Sequence, residues 1–234
     1  MKQATSSFLS LSLAVAAVAI VASGAAAALR APQIPVAGGS LQGYLNSQGE
    51  SINVNTDQQD IQTWTTTVSG NSTFTLMIEL AGFAPSNAIG IYNAGVVAPA
   101  LYPMLPGAAA AGWFATASFR SAPVRVVMNL FDADGVPQGS NVYLGADRSF
   151  FGVYLQGPGG TFYSQDARNA GGAAQVLTYA GTGINSGQWW MCMEDLPNTG
   201  GGDFDDAVLF VESVNPGVTA TSTTTWGTLK TRFR

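Results

Sequence analysis

The sequence predicts an all-β protein, a jelly-roll-like β-sandwich with long loops. Three observations carry this. Short runs rich in Thr, Val and aromatic residues recur between residues 33 and 215, and Gly, Pro, Asn and Asp clusters separate them. Turn signals stand between the runs, as SGNS at 69–72, DADG at 132–135, GPGG at 157–160 and PNTGGG at 197–202. Helical periodicity is weak and no period of a solenoid or propeller repeats, which leaves two packed sheets as the fitting architecture.

The chain begins with a different composition. Lys2 supplies a short positive region, Phe8 to Leu29 carry no charge, and LSLAVAAVAIVA is the apolar run within them. The following SGAAAALRA offers several sites with small residues in cleavage positions. Residues 1–31 therefore read as a secretory signal peptide cut between Gly24 and Ala31. The rival is an uncleaved membrane anchor, since the uncharged stretch is just long enough to span a bilayer. Alanine dominates it, however, and Ser23 and Gly24 interrupt it. Export to the exterior or cell surface is expected, with no membrane span left after cleavage.

The sandwich domain is expected over 32–215. Its strands are placed at Gln62–Ser69, Thr73–Leu80, Gly112–Ser118, Val124–Phe131, Phe150–Leu155, Gln175–Tyr179, Gln188–Met193 and Ala207–Ser213. The run PALYPMLPGAAAAG, with three prolines, reads as an ordered loop. Alternation along a strand puts Trp190, Cys192 and Glu194 on one face and Trp189, Met191 and Met193 on the other. Both faces are apolar until Glu194, so this strand is expected to be buried on both sides with its carboxylates at the exit. Cys192 is then a small core residue rather than a reactive thiol. In DDAVLFVES, Ala207, Leu209 and Val211 oppose Val208 and Phe210 in the same way. Residues 216–234 form a hydroxyl-rich linker, TATSTTT, and a basic tail, WGTLKTRFR. That tail is either a frayed terminus or a short docking peptide.

Composition excludes much chemistry. The chain of 234 residues has no His, one Cys, and 9 Lys+Arg against 14 Asp+Glu. His-dependent triads and dyads and His-ligated zinc, haem or iron are excluded, as is a disulfide framework. With Lys2 and Lys230 as the two lysines and a net charge of −5, nucleic acid is not an expected partner. Carboxylates, amides and hydroxyls remain, the ligand set of a hard cation.

Six of the fourteen acids lie between Glu194 and Glu212, and no Lys or Arg occurs between Arg168 and Lys230. The loop EDLPNTGGGDFDD joins two strand ends, and Gly200, Gly201 and Gly202 let the backbone fold tightly. Such a patch is either a solvated acidic hairpin tip or a calcium site, for calcium takes 6–8 oxygens in irregular geometry.

EDLPNTGGGDFDDAVLFVE resembles the signature of the bacterial extracellular domain of unknown function 4114. That family shows an E-D-L/P-rich turn, then G-G-D-x-D-[FY]-N-D and a hydrophobic strand. FFGVYLQGPGGTFYSQDARN is similar to a second stretch of it, so the resemblance covers about 148–213, within a C-terminal part of about 120–215. IELAGFAPSNAIGIYNAG resembles a segment that often precedes the domain. The resemblance implies a calcium-associated β-sandwich on secreted or surface proteins, without catalytic activity. It carries Glu194, Asp195, Asp203, Asp205 and Asp206 over as ligands. Two positions depart from the pattern: Gly201 replaces an Asp and removes a ligand, and Asp205 replaces an Asn and adds a charge.

Other candidates are weaker. Asn53, Asn55 and Asp57 alternate oxygen side chains before Asp60, as a second cation site or a polar loop. Asp132-Ala-Asp134-Gly135 opens like an EF-hand, but Tyr143 stands where that loop needs Glu, so a hairpin turn fits better. Glu79 is either a strand-end carboxylate or a ligand, joined by Asn87. Trp64, Trp113, Tyr163 and Trp189 form either a sugar platform or core. The leading expectation is a secreted, non-catalytic calcium-binding module acting in cell-surface attachment, matrix or ligand binding, with a carbohydrate or cell-surface polymer as partner. The alternatives are a glycoside hydrolase pairing Glu79 with Glu194 or Asp195, and a self-assembling surface subunit.

Overall fold

The computed structural model describes residues 40–217 except 60, 79–83 and 198–201. The expected signal peptide, the tail from Thr219, Glu79, Asp60, Gly200 and Gly201 lie outside the described residues. Two antiparallel sheets pack face to face, a β-sandwich.

One helix, α1 (Ser40–Ser47), precedes thirteen strands. These are β1 (Trp64–Thr66), β2 (Asn71–Ile78), β3 (Ala88–Asn93), β4 (Leu101–Leu105), β5 (Phe114–Ser121), β6 (Val124–Phe131) and β7 (Pro137–Leu144). They continue as β8 (Phe151–Gly157), β9 (Gly160–Tyr163), β10 (Val176–Ala180), β11 (Trp189–Met193), β12 (Ala207–Glu212) and β13 (Val214–Pro216). The larger sheet runs β10-β11-β12-β2-β5-β6-β7, and the smaller β13-β1-β8-β3-β4 with β9 beside β8.

Each of the eight expected strand segments overlaps a strand, and β6 matches its expected limits. The LYPML segment is a correction: it forms β4, with Pro103 in the ladder to β3. An edge strand tolerates proline because the missing N–H can lie on its free side, and among the described residues no strand lies on β4's other side. Strands β3, β7, β9 and β13 and helix α1 also fall outside the expected segments. The helix is short, and β7 is exposed at every position except the half-buried Tyr143, so it lacks apolar alternation.

Alternation along β11 and β12 holds as read. Met191, Met193, Ala207, Leu209 and Val211 enter the main core between the sheets. Trp190, Cys192 and Val208 enter a second core on the outer face of the larger sheet. Leu41 and Leu45 of α1 cover that face, with Ile52, Val54, Leu177 and Tyr179. The helical spacing of four residues puts both leucines on one side of α1, where burying them supplies most of what holds so short a helix. Trp64 is fully buried, and Trp189 packs edge-on against it at 5.1 Å between ring centroids. Trp113 also packs on the main core.

Glu50 ties this outer layer to the sheet. Its carboxylate is buried and accepts hydrogen bonds from Trp190 Nε1 (2.7 Å), Asn185 Nδ2 (2.7 Å), and the Thr182 N–H and hydroxyl (2.6 Å each). Burial works against its charge, but these donors outweigh burial and hold the carboxyl below its usual range. We expect Glu50→Ala to lower stability by about 3 kcal/mol in denaturant titration, since it strands the buried Trp190 N–H. A carboxyl held low contributes stability above its unfolded pKa and loses it as pH falls through the folded value. The wild-type advantage over Glu50→Ala is therefore full at neutral pH and shrinks in acid.

Candidate metal centre

The acidic loop leaves β11 at Glu194 and re-enters the sheet at β12. Strand pairing fixes both ends, with Met193 opposite Ala207, so residues just outside that pair are held close together. Loop backbone is then bent inward by two left-handed residues, Gly202 (φ 70°) and Phe204 (φ 54°). A left-handed bulky residue is unusual and needs the surroundings to hold it. Here the Phe204 ring is buried in the outer core, and its N–H donates to Glu194 Oε1 at 2.8 Å.

As a result Glu194, Asp203 and Asp206 each bring a carboxylate oxygen within 4.8 Å of the others. Glu194 is buried, while Asp203 and Asp206 are half-buried. Burial, and after it the charges of Asp206 and Asp203, push the Glu194 carboxyl up to about 7, against the opposing pull of the Phe204 N–H. Burial first, then the charges of Asp195 and Asp203, push Asp206 up to about 6, though it accepts a hydrogen bond from the Asp195 N–H at 2.9 Å. The charged groups that move Glu194 are all carboxylates. Without a cation, the cluster relieves its repulsion by holding protons at a pH where isolated carboxyls have lost them.

Of the five expected ligands, these three converge. Asp195 stays outside that triangle: it lies beside Asp206, whose carboxyl its charge raises, and its Oδ2 accepts a hydrogen bond from Asn87 Nδ2 at 2.9 Å. The β8–β9 hairpin closes over it, and a Cβ at Gly159 would collide with the Asp195 carbonyl oxygen, which is why the turn needs glycine there. Asp205 is buried near Cys192, and burial followed by Asp203 raises its carboxyl. Its Oδ2 and the Oδ1 of Asn87 are buried with no hydrogen-bond partner among the described residues. Burial, and then the charge of Asp205, push the Cys192 thiol far up, which makes it an inert core residue.

The remaining candidates close on themselves. Asp57 Oδ2 accepts the Asn53 N–H at 2.8 Å, and Asn53 Oδ1 accepts the Asn55 N–H at 3.0 Å, so this run is a self-satisfied polar turn. Asp132 Oδ1 accepts the N–H groups of Asp134 (3.0 Å) and Val136 (2.9 Å), a hairpin turn. Tyr163 packs edge-on against Tyr92 at 5.0 Å. Glu50, with its four donors, had no motif to mark it; its nearest signal is a lone acid between polar loop and apolar residues.

No helix among the described residues is long and apolar enough to cross a membrane. Compared with known proteins, the chain matches no family model, no curated protein and no solved structure.

The raised carboxyls set the pH behaviour of the metal-free protein. A group whose folded pKa lies above its unfolded value stabilises the fold at low pH and loses that contribution as pH rises through the folded value. In chelator, the melting temperature should fall from about pH 5 to about pH 8 and level off above the Glu194 value, as scanning calorimetry would show. Glu194→Gln should flatten this slope.

Proposed function

We propose that this protein is a secreted, non-catalytic calcium-binding β-sandwich module that works at the cell surface, in attachment, matrix or ligand binding. The observation that carries the reading is the convergence of Glu194, Asp203 and Asp206 at the exit of a doubly buried strand. A divalent cation is the simplest neutraliser of such a cluster, because no basic residue stands between Arg168 and Lys230 in the sequence.

Calcium suits the donor set better than its smaller relatives. The candidate ligands are oxygens only, which disfavours metals that prefer sulfur or imidazole. They lie at different depths and come from a strand end and an irregular loop, an arrangement that calcium's flexible coordination tolerates and magnesium's strict octahedron does not. The orphaned Asp205 Oδ2 adds a buried acceptor on the same loop. The similarity of EDLPNTGGGDFDD to the calcium-associated extracellular domain supports the same choice. Export is supported by the charge-free run after Lys2.

The role of the ion is to cross-link the β11 exit to the loop. Three carboxylates that repel one another would become ligands of one ion. The glycoside-hydrolase alternative would pair Glu79 with Glu194 or Asp195 across a cleft, and Glu79 lies outside the described residues.

Calcium should raise the melting temperature, and chelator should reverse it. Binding to the folded state alone adds about 2.7 kcal/mol at one hundred times Kd. For a chain of this size that is a rise of several degrees. The rise should be larger at pH 8 than at pH 5.5, because at low pH the ion must displace protons from Glu194 and Asp206. Asp203→Asn and Asp206→Asn should each remove most of it while leaving a folded sandwich by circular dichroism. A melting curve indifferent to calcium and chelator at pH 8 would overturn the site.

A further inference from the structure

Among the described residues, the larger sheet ends in an uncovered edge, β7. Natural proteins blunt sheet edges with proline, charge, shortness or cover. Three edges here follow that rule. On β10, Gln59 bridges to Thr178, with N–H to carbonyl at 2.8 Å and the Thr178 hydroxyl on the Gln59 carbonyl at 2.9 Å. On the smaller sheet, β4 carries Pro103 within its five residues, and β13 is three residues long and ends in Pro216. The β7 edge differs. It is eight residues long, its one register shift is confined to its first residues beside Phe131, and no charged residue occurs from Gly135 to Ala146. Its one proline is its first residue. Val142 is 57% and Leu144 70% exposed.

The register says which groups face outward. Gly145 N–H donates to the Val124 carbonyl at 2.8 Å. Counting back along the β6–β7 pairing, Tyr143, Asn141 and Gly139 exchange hydrogen bonds with β6. The N–H and C=O groups of Ser140, Val142 and Leu144 therefore point away from the sheet.

We infer that β7 is a self-association edge, pairing antiparallel with β7 of a second copy across a two-fold axis to join the two larger sheets into one. Antiparallel edge pairing is self-complementary, because each strand offers the same donors and acceptors to the other. Charge selects the same orientation. One end of β7 adjoins the acidic hairpin of Asp132 and Asp134. Its other end lies beside Arg125, which is opposite Leu144 on one side and Arg120 on the other. Each of these arginines donates to a neighbouring backbone carbonyl, Arg120 to Phe119 and Arg125 to Pro123, and makes no ion pair among the described residues. Antiparallel pairing sets the acidic end of one copy against the basic end of the other, whereas parallel pairing would set acid on acid. The uncharged strand between lets two chains of net charge −5 meet without like charges in the ladder.

The test is sedimentation equilibrium of the purified protein in chelator over a rising concentration series, which keeps it separate from the calcium reading. The wild type should reach the mass of two chains. Val142→Lys places like charges across the axis and should weaken association by about tenfold or more, the equivalent of about 1.4 kcal/mol. Val142→Pro should do the same by deleting an outward N–H that β6 does not use. Arg125→Glu should weaken the dimer, and adding Asp134→Arg to it should restore part of the loss. A wild type that stays monomeric throughout would overturn the inference. So would a dimer indifferent to Val142→Lys, with Val142→Lys melting as the wild type does.

Discussion

The structure turns on crowded negative charge at the mouth of β11. A strand apolar on both faces carries Glu194 to the point where the sheet ends, and pairing with β12 returns Asp206 to the same place. Neither carboxylate can move far, because the residues that anchor them are buried in two cores. No basic residue stands between Arg168 and Lys230 in the sequence, so the repulsion is relieved either by bound protons or by a bound cation. The raised carboxyls of Glu194 and Asp206 are the first solution, and the proposed calcium is the second.

The outer core makes this crowding possible. If the larger sheet faced water on its outer side, Trp190, Cys192 and Val208 would be solvent-exposed and the loop would have nothing to pack on. Because α1 and the segment after it cover that face, Phe204 finds a buried site and accepts a left-handed backbone. Its N–H is then aimed at Glu194. Glu50 holds the cover down through Trp190, so a carboxylate distant in sequence supports the same layer. The β8–β9 hairpin completes the surround from the smaller sheet, where glycine permits its approach to Asp195.

Much of this was legible in the sequence, for physical reasons that also explain the gaps. Alternation or continuous apolar character made β6, β11 and β12 stand out, whereas β3, buried along its middle, is short and carries Gly90 within its six residues. The β4 segment was hidden because its prolines argue against a central strand and say nothing of an edge. Strand β7 was hidden because nothing on it is buried except Tyr143, so PQGSNVYL has no pattern to show. Helix α1 rests on two leucines in a core whose sheet residues, Leu177, Tyr179 and Trp190 among them, lie more than a hundred residues away. At the site, the acids could be counted and their convergence expected from two joined strand ends. Which of them turn inward depends on Phe204 and on Asn87, contacts that only the folded chain creates.

The central claim is that the carboxylate cluster takes calcium in exchange for protons. Isothermal titration calorimetry of the chelator-stripped protein tests it directly, run near pH 6.5 in two buffers with different ionisation enthalpies. One calcium should bind saturably per chain, with a buffer-dependent heat that reports protons released on binding. That release should shrink toward zero when the titration is repeated above pH 8. Absence of saturable binding at either pH, or binding whose heat is the same in both buffers at the lower pH, would contradict it.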